Sequence, residues 1–271
     1  MTADRETSRV AVVIPAYNAE DTIGETIESV QAQSWAALDI VVVDDGSTDN
    51  TTDIVERHAR QDARIRLVRQ KNGGVAAARN AGARSSDAPY LAFLDADDIW
   101  APDKIAAQMA LAHGESGEPQ LVYCWFAQID REGRVYPVAP QRLIEGEALA
   151  EIARSNFVGN GSSMLVPREI FDAVGGFDSS LRDLDAQGCE DLLFLALAAR
   201  HYRFRVVPRH LLGYRLSHVG MSTSVDRMLR SFDLVAQRII VLEPDTASAW
   251  VAHRRDLIRW LAGRAAMGGR P

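Results

Sequence analysis

Residues 38–50 read LDIVVVDDGSTDN, and this stretch decides the fold. Ile40 to Val43 is a β-branched run with no polar alternation, the pattern of a strand covered on both faces. It ends in two adjacent acids, Asp44 and Asp45, and then in Gly46-Ser47-Thr48-Asp49, which suits a turn running into a helix N-terminus. Apolar residues resume at Ile54 and Val55, with His58 one turn on, so a helix follows. One unit thus reads strand, acidic turn, helix.

The same unit recurs on both sides. Upstream, RVAVVIP (9–15) is a buried run, and DTIGETIESV (21–30) sets Ile23, Ile27 and Val30 on one helical face. Downstream come RIRLVRQ (64–70), the Ala-rich VAAARNAGA (75–83) and YLAFLD (90–95). Strands and helices in alternation predict an α/β fold: a mostly parallel sheet with helices on both faces and right-handed crossovers.

After residue 100 the rhythm changes. Pro102 opens a helix toward His113, and QLVYCWFAQID (120–130) with RVYPV (134–138) reads as a hairpin through REG. A helix near Glu147–Ser155, a strand at SSMLVP (162–167) and a buried helix at EDLLFLALAARH (190–201) follow. Short strands at RFRVVP and LLGYRL precede two helices, Val225–Val241 and Ser248–Ala262. The expected organisation is one domain over 1–222, its halves meeting near residue 100, and a helical extension over 223–271. In that extension Met228, Phe232, Val235 and Ile239 recur at helical spacing, which favours packing on the domain or on a second copy over a membrane anchor.

Composition excludes several classes. The 271 residues are 47% hydrophobic and 25% charged, which is globular. A net charge of -7 without a Lys/Arg block argues against nucleic acid. Cys124 and Cys189 form no CxxC, so neither a zinc site nor a disulfide framework is expected. The polar start has no apolar signal core, and the longest apolar run, Leu192 to Ala199, is too short to span a bilayer. A cytoplasmic protein is expected, with any membrane contact peripheral.

Ligands of open parallel sheets bind beyond the carboxyl ends of the strands. Four polar clusters fall there: PAYN (15–18), DDGSTD (44–49), KNGG (71–74) and DADD (95–98). Asp95 and Asp97, two residues apart, suit one hard divalent ion such as Mg²⁺ or Mn²⁺, which often takes only one or two protein carboxylates. A solvated acidic turn is the plain alternative, and the shared strand-end position argues against it. KNGG is neither a P-loop nor GxGxxG; Arg79, beyond it, suits a phosphate or a base. Glu190 and Asp191 begin a buried helix, where acids serve either as favourable partners of the helix dipole or as a base.

In order, VVIPAYNAE, VVVDDGSTDNT, NGGVAAARNAG, LAFLDADDIWAPDKI, VGGFD, CEDLLF and YRLSHVGMS resemble glycosyltransferase family 2, inverting enzymes of GT-A fold, over roughly Val10 to Ser222. The resemblance implies a nucleotide-sugar donor, usually a UDP-sugar, held through Mn²⁺ or Mg²⁺ in a nucleotide-sugar half (8–100), with an acceptor half over 101–222. It places Pro15, Ala16, Tyr17, Asp45 and Arg79 around the nucleotide. Asp95 and Asp97 match the DxD, Asp97 as direct metal ligand; Asp191 matches the general base, and Glu190 its neighbour near the acceptor. Many relatives carry His two residues after the Arg of the YR motif. Here that place is Ser217, so His218, one further on, is the remaining candidate for the metal shell.

The acceptor is then a hydroxyl of a glycan, a lipid-linked sugar or a small molecule, and the C-terminal helices admit a homodimer or a peripheral membrane contact. A nucleotidyltransferase is the first rival, but PAYNAED lacks the Gly-rich basic loop it would carry after strand one. A non-catalytic nucleotide-sugar-binding protein would not need both the DxD and the ED pair.

Overall fold

Strand β1 (Val10–Ala16) is buried along its whole length. It pairs in parallel with β2 (Leu38–Asp44) on one edge and β4 (Tyr90–Phe93) on the other, and β2 carries β3 (Ile65–Arg69). The crossovers are α1 (Ile23–Gln31), α2 (Thr51–Gln61) and α3 (Val75–Arg84). This computed structural model describes residues 8–114, 117–138, 141–216 and 224–268.

Beyond β4 the sheet turns antiparallel. β4 meets β7 (Met164–Pro167), and β7 meets β6 (Leu121–Ile129). β6 runs parallel to β8 (Phe204–Arg215), against which the two-residue β5 (Ile99–Trp100) closes. The order is β3-β2-β1-β4-β7-β6-β8-β5.

Period-two alternation in the central strands builds a core on each face. Val10, Val12 and Ile14 pack with Ile23 and Ile27 of α1, Val55 of α2 and Ile105 of α4 (Lys104–Met109). Ala11 and Val13 face the other way, onto α3, α6 (Arg168–Val174) and α7 (Glu190–Ala199). α5 (Leu149–Arg154), α8 (Val225–Leu242) and α9 (Ala247–Gly268) extend that second core. Phe232, Val235 and Ile239 of α8 and Trp250 of α9 are buried in it, with Met228 packed against it. The C-terminal stripe is therefore covered by this chain itself.

Two local expectations change. The pair of short strands at 203–208 and 211–216 is the single strand β8; the register against β6 slips between Cys124 and Phe126, opposite Pro208, which has no N–H for a ladder. The hairpin at 134–138 shrinks to one bridge, Ile129 with Val135. β7 pairs only with Val122 and Tyr123 of β6, and further along that edge the Gln141 side chain takes the backbone groups of Phe126, accepting from its N–H and donating to its carbonyl. Among the described residues no helix is long and apolar enough to cross a membrane.

Candidate active site

Parallel pairing brings the ends of β1, β2 and β4 to one edge: Ala16 lies beside Asp44, Asp45 N donates to Ala16 O, and Leu94 N donates to Val13 O. The loops after β1 and β2 then bind each other. Asn18, in the left-handed region (φ 48°), donates its N–H to Ser47 Oγ and accepts from Thr48 N, while Ala19 N donates to Thr51 Oγ1. Asp49 caps the start of α2 through Thr51 N and Oγ1. These polar residues serve the turn. Pro15 and Ala16 are buried beneath it, and the Tyr17 side chain stands 53% exposed at the edge.

Both acids ending β2 are buried and engaged. Asp44 accepts from Ser47 N and Thr52 Oγ1. Asp45 Oδ1 accepts from Gln70 Nε2 and Gly73 N, each at 2.7 Å, and Oδ2 accepts from Gly74 N at 2.8 Å. A carboxylate has about four acceptor sites, so one remains on Oδ2. The KNGG glycines approach Asp45, which fixes that loop against the end of β2.

Arg79 is the centre of the site. α3 lies so close to β1 that a Cβ on Gly82 would stand 2.3 Å from Val13 Cγ1. One turn earlier, that approach carries Arg79 inward, 2% exposed. Its guanidinium donates to Asp95 Oδ1 at 2.6 Å and to Glu190 Oε1 at 3.0 Å, and rests 5.2 Å from the Phe177 ring centroid. A Cβ on Gly161 would crowd Nη2 at 3.1 Å, so a side chain there would require the guanidinium to shift by a few tenths of an ångström. Burial opposes the charge, but Asp95, then Glu190 and Asp191, hold Arg79 protonated above its ordinary range. Its donors are committed to two acids, with Nε alone unpartnered. The sequence placed Arg79 at a phosphate or base; in the fold it ties the end of β4 to the start of α7.

The three acids of DADD have three situations. Asp98 is fully buried and structural: Oδ2 accepts from Ser162 Oγ and Asn160 Nδ2, and Oδ1 from Arg215 N. Burial, then Asp97 and Asp95, push its carboxyl well up. Asp95 lies on Arg79 through Oδ1, and its Oδ2 accepts from no described residue. The Asp97 carboxylate receives no hydrogen bond from another described residue; burial first, then the charge of Asp95, push it up to about 6. A carboxylate held in that state is stabilised by a cation. No three His, Cys, Asp or Glu side chains group as a metal cage among the described residues. A divalent ion here would rest on Asp97, with Asp95 beside it, and fill its other positions from ligand oxygens and water, which fits Mg²⁺ or Mn²⁺. His218 lies outside the described residues.

Arg215 and Ser162 were given no task by the sequence. Arg215 donates from Nε to Asp97 O, from Nη1 to Asp130 O and Arg131 O, and from Nη2 to Glu25 Oε2 at 2.6 Å, clamping the DADD turn from behind. Ser162 accepts from Asp95 N while donating to Asp98. An arginine inside the apolar LLGYRL was the available signal, because a buried guanidinium must find partners.

Glu190 and Asp191 differ sharply. Glu190 is used at both oxygens, by Arg79 and by Gly188 N. Among the described residues Asp191 accepts only from Leu192 N, and no cation pairs with it. Burial, then the Glu190 charge, outweigh the pull of Arg79 and push it up to about 7. A carboxylate at that value can take a proton near neutrality.

Residues 11–175 match the family model described as Glycosyl transferase family 2. Uncharacterized glycosyltransferase EpsJ of Bacillus subtilis is 31% identical over 215 residues, covering 76% of this chain and 60% of that protein. Uncharacterized glycosyltransferase RP339 of Rickettsia prowazekii is 30% identical over 64% of this chain and 54% of its own length. The chain thus spans little more than half of these relatives. Among solved structures, TarS 1-349 of S. aureus in complex with UDP-GlcNAc superposes with a TM-score of 0.70 at 20% identity, over 90% of this chain and 71% of that one. Mannosyltransferase PcManGT from Pyrobaculum calidifontis, in complex with GDP-Man and Mn²⁺, gives 0.62 at 22%, over 96% and 80%. These likenesses establish a shared GT-A fold.

Proposed function

This chain belongs to glycosyl transferase family 2, and on that premise we propose that it transfers a sugar from a nucleotide-sugar donor, a UDP-sugar, to an acceptor hydroxyl with inversion at the anomeric carbon. The observation that carries the reading is the cluster on Arg79: one buried guanidinium holds Asp95 and Glu190, with Asp191 beside them free of a cation. Residues 8–100 hold the donor and 101–222 the acceptor side. The nucleotide lies along the strand ends, its nucleoside at Asp45 and Tyr17 and its diphosphate toward Asp97. Asp97 and Asp95 would hold a divalent ion, which when bound neutralises charge on the departing diphosphate.

The remaining work falls to the chain. Arg79 keeps Asp95 and Glu190 in place. Asp191 accepts the acceptor's hydroxyl proton at its carboxylate as the hydroxyl oxygen attacks the anomeric carbon, and the bond to the nucleoside diphosphate breaks on the opposite face. A single displacement needs no covalent intermediate and no nucleophilic side chain. TarS with UDP-GlcNAc and PcManGT with GDP-Man and Mn²⁺ support a nucleotide-sugar donor and a metal.

The test is a calorimetric titration of UDP with Mn²⁺ and with chelator. Chelation should weaken binding by roughly tenfold or more, the scale of one charge-assisted contact. Asp97→Ala should bind UDP equally in both conditions. Equal affinity for the native protein with and without Mn²⁺ overturns the metal assignment.

A further inference from the structure

The loop from Arg182 to Gly188 leads into Glu190 and passes over the turn that Asp45 fixes. A Cβ on Gly74 would lie 3.0 Å from Gln187 Nε2, 3.1 Å from Arg182 Cδ and 3.6 Å from Arg182 Nη1. Both side chains are half-buried, and neither makes a hydrogen bond or ion pair with any described residue. Two arginines of neighbouring elements are paired: Arg69 at the end of β3 with Glu56, and Arg79 of α3 with Asp95 and Glu190. An unpaired guanidinium and an unpaired carboxamide, packed together against a glycine turn, present donors to whatever enters there.

Their position selects the part of the ligand they meet. Gly74 N bonds to Asp45, at the end of β2, and Gly74 follows β3, the outer strand. Asp97, at the end of β4, lies two strands from β2, roughly 10 Å across the sheet. Arg182 and Gln187, packed on Gly74, therefore stand at the β2–β3 end of the site, on a loop whose Gly188 N–H bonds to Glu190. Asp45 adjoins them through Gly74 N, with one acceptor site left on Oδ2. The edge is thus one carboxylate acceptor next to two donors.

Resting on the nucleotide-sugar reading above, we propose that Arg182 and Gln187 are base-reading residues that select uracil. Uracil presents an acceptor, a donor and an acceptor in sequence: O2, N3–H and O4. Its one N–H suits the single site on Asp45 Oδ2, and its carbonyls suit Arg182 and Gln187. Cytosine places an unprotonated N3 against the Asp45 carboxylate. Guanine brings N1–H and N2–H₂ together, two donors for one remaining site, because Asp45 Oδ1 is already filled by Gln70 and Gly73. Thymine, with the same edge as uracil, is accepted or refused by space at C5 and not by these residues.

Uridine, UDP, CDP and GDP titrated against wild type, Arg182→Met and Gln187→Leu, with Mn²⁺ present, test this. Wild type should bind UDP at least roughly tenfold more tightly than CDP or GDP, the value of one or two well-made hydrogen bonds. Each variant should weaken uridine and UDP by similar factors, with CDP hardly changed, so that the preference shrinks. A variant that loses UDP but not uridine places Arg182 on the diphosphate and overturns the proposal. So do native affinities in both variants, or a preference for UDP that survives them. Gln187→Leu keeps the test open should Arg182→Met melt early. If wild type binds no nucleoside diphosphate, the nucleotide-sugar reading falls, and this inference falls with it.

Discussion

Asp191 and Glu190 are adjacent in sequence, yet only Asp191 is left free to exchange a proton, because Arg79 and Gly188 N occupy Glu190. Asp191→Asn keeps shape and most hydrogen bonding but removes the carboxylate. Turnover should fall at least roughly 10²-fold, the low end for a general base, while the UDP dissociation constant holds; near-native turnover would make Asp191 a helix-end acid. Because the base must be deprotonated, native turnover should rise with pH through about 7. Stability moves the other way. The folded-state value lies above the unfolded 3.8, so between 3.8 and about 7 the unfolded chain has released a proton that the folded chain retains. The native protein loses stability across that window as pH rises. Melting curves should therefore show Asp191→Asn gaining on the native protein as pH increases, and a difference independent of pH would refute the raised value. The ED pair was legible in the sequence, but its division of labour was not. That division depends on Arg79, which lies 111 residues from Glu190 in sequence.

The element that delivers Arg79 is α3, and its delivery depends on contact with β1. Gly82→Ala would place a methyl 2.3 Å from Val13 Cγ1 and 3.1 Å from Val43 Cγ2, both in a closed core. Overpacking of this kind costs about 1–3 kcal/mol, so urea unfolding should show that loss. Because Arg79 moves with the helix, nucleotide affinity should fall as well. Unchanged stability would mean that α3 is free to lift from the sheet. The alternation of strand and helix over the first hundred residues was readable because apolar period alone specifies it. β8 was not, since Pro208 mimics a strand break, and only the partner strand β6 reveals that the chain continues past a bulge. DADD was legible in part. Asp95 and Asp97 stand out as a pair suited to a divalent ion, but nothing in the sequence gives Asp98 its task; the fold buries Asp98 on Ser162, Asn160 and Arg215, turns Asp95 to Arg79 and leaves the Asp97 carboxylate without a hydrogen bond from another described residue.

At the scale of the molecule, one sheet separates two cores, and the proposed chemistry lies at its edge where parallel strands end. The core that holds α3 and α7 is completed by Phe232, Ile239 and Trp250 from the last two helices, so the acceptor side of the site shares its packing with the C-terminal region. The central claim is inverting transfer through Asp191, and stereochemistry tests it without knowledge of the natural acceptor. With water as acceptor, an α-linked UDP-sugar is hydrolysed in the presence of Mn²⁺, and proton NMR follows the sugar released at early times, before mutarotation. The account predicts that the β anomer appears first and that Asp191→Asn suppresses it. First appearance of the α anomer would contradict a single displacement at this site.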